Sequence, residues 1–354
     1  MRFPIDRFEC VEQVGGIQTA VLDNGPARGQ RIAMVNTGAG LRYTVALDRA
    51  ADLVHAHHHA HSLAYLTQNR IKAPSHAYHH ADGWLDGWPG GMVTTCGPQQ
   101  FGDPRREQGV DRPLHGHFSN QPAQVTELIN PDPHLGQMAM RIGAIVRDTR
   151  GYGPNLETRR EISSTLGENA IHLVDHTINR DPYRNLFGML YHVNLGWPLL
   201  DAGSRLILRG TIQPWSDAAQ LAVLPDEPNG YKQILAPHAS FVGERSRGLI
   251  CTPQPDGDGL ARVGIANPRI DLALEIAFEV AQLPRLMVWQ HLGPGMYVCG
   301  LEPMVGTPSG SAREPGHVAH LDPGQTRTTA ITLRVHTDAG ALDGHDGDLA
   351  LETA

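Results

Sequence analysis

The chain reads as an all-β protein built from antiparallel strands, on three observations. Its 354 residues include 39 glycines and 26 prolines, which interrupt it too often for long helices to form. Between these interruptions recur short stretches of β-branched or alternating apolar residues, the mark of strands joined by turns. In the clearest of them, Ala170–Asn179, the set Ile171, Leu173, Asp175 and Thr177 alternates with His172, Val174, His176 and Ile178. That period of two belongs to a half-buried strand.

Taken in order, residues 16–22, 31–35, 43–47, 138–146, 156–163, 170–179, 205–209, 249–251, 262–266, 271–280, 285–290 and 328–335 are predicted strands. Residues 217–240 show little periodicity and are expected to form a loop or short helices. The acidic, Gly-rich end from 338 to 354 reads as a mobile tail. Two Gly- and Pro-rich segments, 83–102 and 293–316, resemble loops that line a site rather than linkers. With no domain boundary in view, residues 1–337 are expected to form one β domain.

Composition narrows the function. Apolar residues make up 40% and charged residues 19%, enough to build a core and too apolar for wholesale disorder. Lys plus Arg number 29 against 37 Asp plus Glu, a net charge of −8. The broad positive field needed for a phosphate backbone is absent, so nucleic acid is not an expected partner. Cys10, Cys96, Cys251 and Cys299 are scattered without a C-x-x-C pair, which suggests neither a zinc knuckle nor a disulfide framework and fits a reducing cytoplasm. Residues 1–10 mix charges with apolar residues, unlike an export signal, and no apolar run is long enough to predict a membrane span. Self-association into a homo-oligomer is left open.

Three constellations could carry chemistry. In Leu114-His115-Gly116-His117-Phe118-Ser119-Asn120, two imidazoles at i and i+2 share a face if the segment is extended. They could move protons, bind a metal or simply be satisfied by hydrogen bonds. In Tyr191-His192-Val193-Asn194-Leu195-Gly196-Trp197-Pro198, His192 and Asn194 alternate toward one face beside Trp197. An indole suits the C–H face of a sugar and the polar pair its hydroxyls, whereas the alternative is a core strand with two hydrogen-bonded polar residues. In Tyr297-Val298-Cys299-Gly300-Leu301-Glu302-Pro303, a carboxylate follows an apolar strand. Withdrawn from water it would be a stronger base, and exposed it would be an ordinary surface glutamate.

Together with Asp48-Arg49-Ala50-Ala51-Asp52-Leu53, Gly90-Gly91-Met92-Val93-Thr94-Thr95-Cys96-Gly97 and Leu321-Asp322-Pro323-Gly324-Gln325, these segments resemble, in order, the signature segments of the aldose 1-epimerase (galactose mutarotase-like) superfamily. The closest likeness is to a branch of unknown function. The resemblance implies an antiparallel β-supersandwich with its site on a concave face, and a small-molecule carbohydrate as ligand. By residue-to-residue carry-over it implies Glu302 as base, His192 as acid and His115 as a second imidazole that binds or polarises the substrate. Arg49, His117, Asn120, Asn194, Trp197 and Gln290 are then candidate substrate-binding residues. Arg49 would anchor a hydroxyl or carboxylate, with a structural Arg49–Asp52 pair as the competing reading.

Three departures from the pattern matter. Ala50 replaces a glycine, His117 an arginine and Gln290 a lysine. The lost positive charge favours a neutral or keto sugar unless histidines compensate. The leading expectation is therefore a carbohydrate epimerase or mutarotase without a cofactor. Its alternatives are a keto-sugar isomerase or lyase holding a divalent metal ion through His115, His117, His192 and Glu302, and a carbohydrate-binding protein without catalysis. The run His55-Ala56-His57-His58-His59-Ala60-His61 would put His55, His57, His59 and His61 on one face if it were a single strand. A cleft-lining polar strand and a metal site are the two readings.

Overall fold

Alternation along the strands decides how the sheets stack. Met140, Ile142, Ala144 and Val146 on one strand and Leu173 on another turn the same way as Val193, Leu286, Val288 and Leu301 on a second sheet, and all are buried in one continuous core. Each such aliphatic side chain withdrawn from water contributes about 1.5–3 kcal/mol, so the shared interior holds the two sheets face to face. The computed structural model describes residues 3–107, 109–214, 224–306, 308 and 318–352.

One sheet has eight strands, in the order Arg205–Ile207, Leu260–Asn267, Leu272–Glu279, Thr326–His336, Ala170–Asn179, Asn155–Thr165, Ala139–Thr149 and Gln124–Ile129. The other has seven: Leu349–Leu351, Gly210–Pro214, Arg247–Pro253, Arg285–Leu292, Tyr297–Val305, Met189–Leu195 and Thr94–Cys96. A five-stranded sheet precedes both in sequence, running from Gly16–Val21 through Arg31–Asn36, Leu41–Ala46 and Asp52–His58 to His61–Ser62. Every stretch predicted as a strand coincides with or overlaps one of these. The result is the antiparallel supersandwich expected.

The histidine run departs from expectation for a local reason. A tight turn at His59, whose φ is 51°, folds it into a hairpin that pairs His58 with His61. His55 and His57 line a groove with Glu12, Gln18, Asn36 and Arg42, whereas His58 is buried beside Asn169. The four alternate histidines therefore do not share a face.

The end of the chain also differs from the mobile tail expected. Leu349–Leu351 pairs in parallel with Gly210–Pro214, and Asp346 accepts from Lys232 Nζ at 2.8 Å. Leu342 is 1% exposed and packs with Ile207, Ala266 and Ala273. These scattered apolar contacts have no period that a sequence reading could detect. Leu342→Ala is expected to destabilise the protein by about 2–4 kcal/mol, as for other buried leucines. A urea melt checks this, since a free tail would give no change. Within 217–240 the described part contains a short helical turn, Pro228–Lys232. Residues 217–223, 307, 309–316 and 353–354 of the segments discussed above lie outside the described residues.

Candidate functional site

The strand Met189–Leu195 is buried on both sides, and its parity sorts its chemistry. Tyr191, Val193 and Leu195 join the main core, while Leu190 faces the other way into a smaller cluster with Trp84, Trp88, Cys96, Phe101, Met287 and Met304. His192 and Asn194 share Leu190's face by alternation. On the neighbouring strand Leu301 enters the main core and Glu302 turns with Met304. Beyond it Val288 and Leu292 enter the core, whereas Trp289 packs on the smaller cluster. His192, Glu302 and Trp289 thus converge on one face of the seven-stranded sheet.

His192 Nδ1 and Glu302 Oε1 lie 3.4 Å apart, with side chains 6% and 3% exposed. Among the described residues neither atom has a hydrogen-bond partner. Burial pushes the Glu302 carboxyl well above its usual 4.5. Burial, and then the neighbouring His115, push His192 well below 6.5. Both groups are driven toward their neutral forms, as a low-dielectric enclosure requires. Gly300 explains one position of the sequence motif, because a Cβ there would run into the Glu302 carboxylate.

Aromatic rings enclose the pair. Trp88, Trp289 and Trp84 stand with ring centroids 5.6, 5.9 and 6.2 Å from that of His192, and His115 meets it edge-on at 5.6 Å. Trp84 stacks on Trp88 at 5.0 Å, lies 4.5 Å from His115 and donates from Nε1 to Ser119 Oγ at 3.0 Å. Trp88 Nε1 and Asn194 Oδ1 are buried without partners. Four polar atoms on or beside one sheet face, those of His192, Glu302, Asn194 and Trp88, therefore lack hydrogen bonds. Buried polar groups are rarely left so.

His115 and His117 do not share a face. His115 has φ 57° and Gly116 φ 73°, and His117 is helical in backbone, so the segment is a turn and the two rings diverge. His115 reaches the dyad. His117 instead lies 4.5 Å from the His79 ring and 3.5 Å from Asp148 Oδ1. Among the described residues no three His, Cys, Asp or Glu side chains are grouped so as to hold a metal. The alternative metal set of His115, His117, His192 and Glu302 is not brought together, because His117 turns away to His79 and Asp148.

The remaining candidates divide. Asn194 holds its place by donating to the carbonyls of Gly91 and His192, both at 2.9 Å. Asn120 accepts from Arg49 Nη1 at 3.2 Å and lies 2.6 Å from His79 Nε2. The Arg49–Asp52 pair is not formed, because Asp52 accepts from Arg160 Nη1 at 2.8 Å and Thr95 Oγ1 at 2.7 Å. Arg49 is 3% exposed, its Nε has no partner, and burial lowers its pKa to about 10. Trp197, at 68% exposure, makes no ring contact with the dyad among the described residues. Gln290 lies on the opposite, core-facing side of its strand, accepting from Arg247 Nε at 2.8 Å and donating to Tyr231 O at 2.7 Å. Both are spent on structure or solvent rather than on the dyad.

Sequence reasoning missed Trp84, Trp88, Trp289 and His79. Trp84 and Trp88 stand in the 83–102 segment read as site-lining, and their i, i+4 spacing was the available signal. Burial pulls both His79 and His115 down to about 4. Unfolding frees these rings to take up protons between pH 6.5 and 4, so the unfolded state binds more protons there and stability falls as pH falls. Thermal melts are expected to show this loss, and His79→Asn or His115→Asn to flatten it.

A family model described as a domain of unknown function, DUF4432, matches residues 27–335. No curated protein matches. Among solved structures, a provisionally assigned aldose 1-epimerase from Klebsiella pneumoniae superposes with TM-score 0.83 at 21% identity, over 97% of this chain and 93% of that one. A galactose mutarotase-like protein from Clostridium acetobutylicum gives TM-score 0.65 at 10% identity, over 90% and 98%. Galactose 1-epimerase from Lactobacillus acidophilus gives 0.59 at 12%, over 90% and 98%. At these identities the likeness is one of fold. The chain belongs to the DUF4432 family, and its fold is the galactose mutarotase-like supersandwich.

Proposed function

We propose that this protein is a sugar 1-epimerase that uses Glu302 and His192 as a proton-transfer pair. The observation that carries this reading is the dyad itself: 3.4 Å apart, enclosed by three indoles and short of hydrogen bonds that a sugar hydroxyl could supply. Indole faces offer stacking area for the C–H face of a pyranose, and Trp88 Nε1 and Asn194 Oδ1 a donor and an acceptor. Glu302 takes the proton from the anomeric hydroxyl while His192 delivers one to the ring oxygen. The C1–O5 bond breaks as the C1 carbonyl forms. Rotation about C1–C2 presents the other carbonyl face, O5 attacks it, and the two protons return to their donors.

The chemistry needs one proton shared by the pair, so the two titrations belong to the pair rather than to either residue. Too much acid adds a second proton, and too much alkali removes the first. With His192 held well below 6.5 and Glu302 well above 4.5, kcat/KM is expected to form a plateau whose acid limb lies below the ordinary imidazole range and whose alkaline limb lies above the ordinary carboxylate range. The test is anomer interconversion of a panel of free sugars, followed by polarimetry or NMR against pH. Rates equal to the buffer background for every sugar would rule the reading out.

A further inference from the structure

Outside the dyad, the least expected group in the molecule is Arg49. A guanidinium 3% exposed normally has a carboxylate partner, because a buried charge left alone is strongly disfavoured. Asp52, the nearest candidate in sequence, is taken by Arg160. Arg49 Nη1 donates to a neutral amide oxygen on Asn120, and among the described residues its Nε has no partner.

Asp52, held by Arg160, and Tyr78 reach the guanidinium only through space, and the other groups beside it are an amide and imidazole rings. Asn120 Nδ2 lies beside His79 Nε2, and His79 meets His117 at 4.5 Å with the rings tilted by 32°. His76 meets His79 edge-on at 5.4 Å. The carboxylate at this cluster, Asp148, stands against His117 Nδ1. Among the described residues these imidazoles are not grouped as a metal-holding set, and a buried guanidinium repels a cation, so the cluster suits an anion rather than a metal. It is linked to the dyad through one indole: Ser119, which holds Trp84, adjoins Asn120 in sequence, and Trp84 touches both His115 and His192.

We propose that Arg49, held in place by Asn120 and flanked by His79 and His117, forms an oxyanion subsite on the Trp84 side of the dyad, so that the sugar taken here carries a carboxylate or phosphate group. This rests on the epimerase reading for the sugar, though not for the anion. It also reverses the preference for a neutral sugar drawn from the replaced arginine and lysine, because His117, at the replaced arginine, and His79, from another segment, bring imidazoles to Arg49.

The test is binding of matched pairs by calorimetry: galactose against galacturonate, and glucose against glucuronate and glucose 6-phosphate. An added charge-assisted hydrogen bond should favour an acidic member by about 10–100-fold in wild-type protein. That ratio should fall to about one in Arg49→Gln and lie between in Arg49→Lys, which keeps the charge without the fork. Whether the uronates or the phosphate ester gains more identifies the group. An acid-to-neutral ratio of one in wild type, or one unchanged by Arg49→Gln, overturns the subsite. So does stoichiometric zinc binding that His79→Gln abolishes.

Inorganic phosphate, compared with chloride at equal ionic strength, provides a readout free of any sugar. It should raise the melting temperature of wild type and of Glu302→Gln, and should not protect the double variant His79→Gln, His117→Gln. Equal protection of that double variant counts against the subsite, and it remains measurable if Arg49→Gln does not fold. Anion binding without anomerisation would uphold the subsite and sink the epimerase. Anomerisation with no acid preference would do the reverse.

Discussion

Glu302→Gln is expected to lower the rate of anomer interconversion by about 10²–10⁴-fold, the usual contribution of one general acid–base group. The amide keeps the size of the side chain but cannot accept the anomeric proton. Because burial already pushes the Glu302 carboxyl toward its neutral form, the substitution removes no stabilising charge, and the melting temperature should hold or rise. The loss should therefore fall on kcat, with sugar binding to the indole-lined face largely kept. Polarimetric kcat beside a thermal melt checks both halves. Full activity in Glu302→Gln would remove this residue from the chemistry.

The largest effect on stability is expected at Arg160, which lies in the core with a fully buried side chain. It donates to Asp175 from Nε and Nη2 at 2.9 and 2.7 Å, to Asp52 at 2.8 Å and to the Ala50 carbonyl at 2.9 Å. Tyr191 Oη donates to Asp175 at 2.8 Å, and Phe118 lies under the guanidinium at 5.0 Å. Arg160→Met leaves two carboxylates buried without their cation and should destabilise the fold by about 3–5 kcal/mol. Adding Asp52→Asn and Asp175→Asn removes the stranded charges and should restore much of the loss. Urea denaturation of the single and triple variants measures both steps, and a loss below about 1 kcal/mol would show the network to be expendable.

This network also holds the site in place. Asp52 accepts from the Thr95 backbone amide at 3.0 Å on the strand paired with His192. Tyr191 precedes His192, and the Ala50 carbonyl belongs to the turn that carries Arg49. One buried guanidinium thus sets both the dyad strand and the arginine turn. The turn is tight, with Ala50 and Ala51 both at positive φ, 56° and 55°. Glycine at 50 would relieve about 1–2 kcal/mol of strain and lose a buried methyl worth about 0.8 kcal/mol, so the departure at Ala50 is nearly neutral.

Much of the architecture was legible because alternation reports burial directly. Along Ala170–Asn179 the row Ile171, Leu173, Asp175 and Thr177 is buried while His176 on the other row is exposed, and even the polar Asp175 follows its parity into the core. His192 and Glu302 were legible through their motifs. The pairing of His115 with His117 was not, since a left-handed residue in the turn breaks the alternation on which the expectation rested.

Strand periodicity and motif order by themselves determined that this protein is an antiparallel β-supersandwich and which acid–base residues to examine. Tertiary structure alone decided which neighbours those residues have. Period two says that Trp289 and Gln290 face opposite ways, but only the stacking of the sheets says that Trp289 turns toward the dyad and Gln290 into the core. Likewise, Arg49 makes no direct bond to Asp52 among the described residues because Arg160, 111 positions later in the chain, takes that carboxylate. Such competition for a partner is a property of three-dimensional distance, which spacing along one chain does not contain.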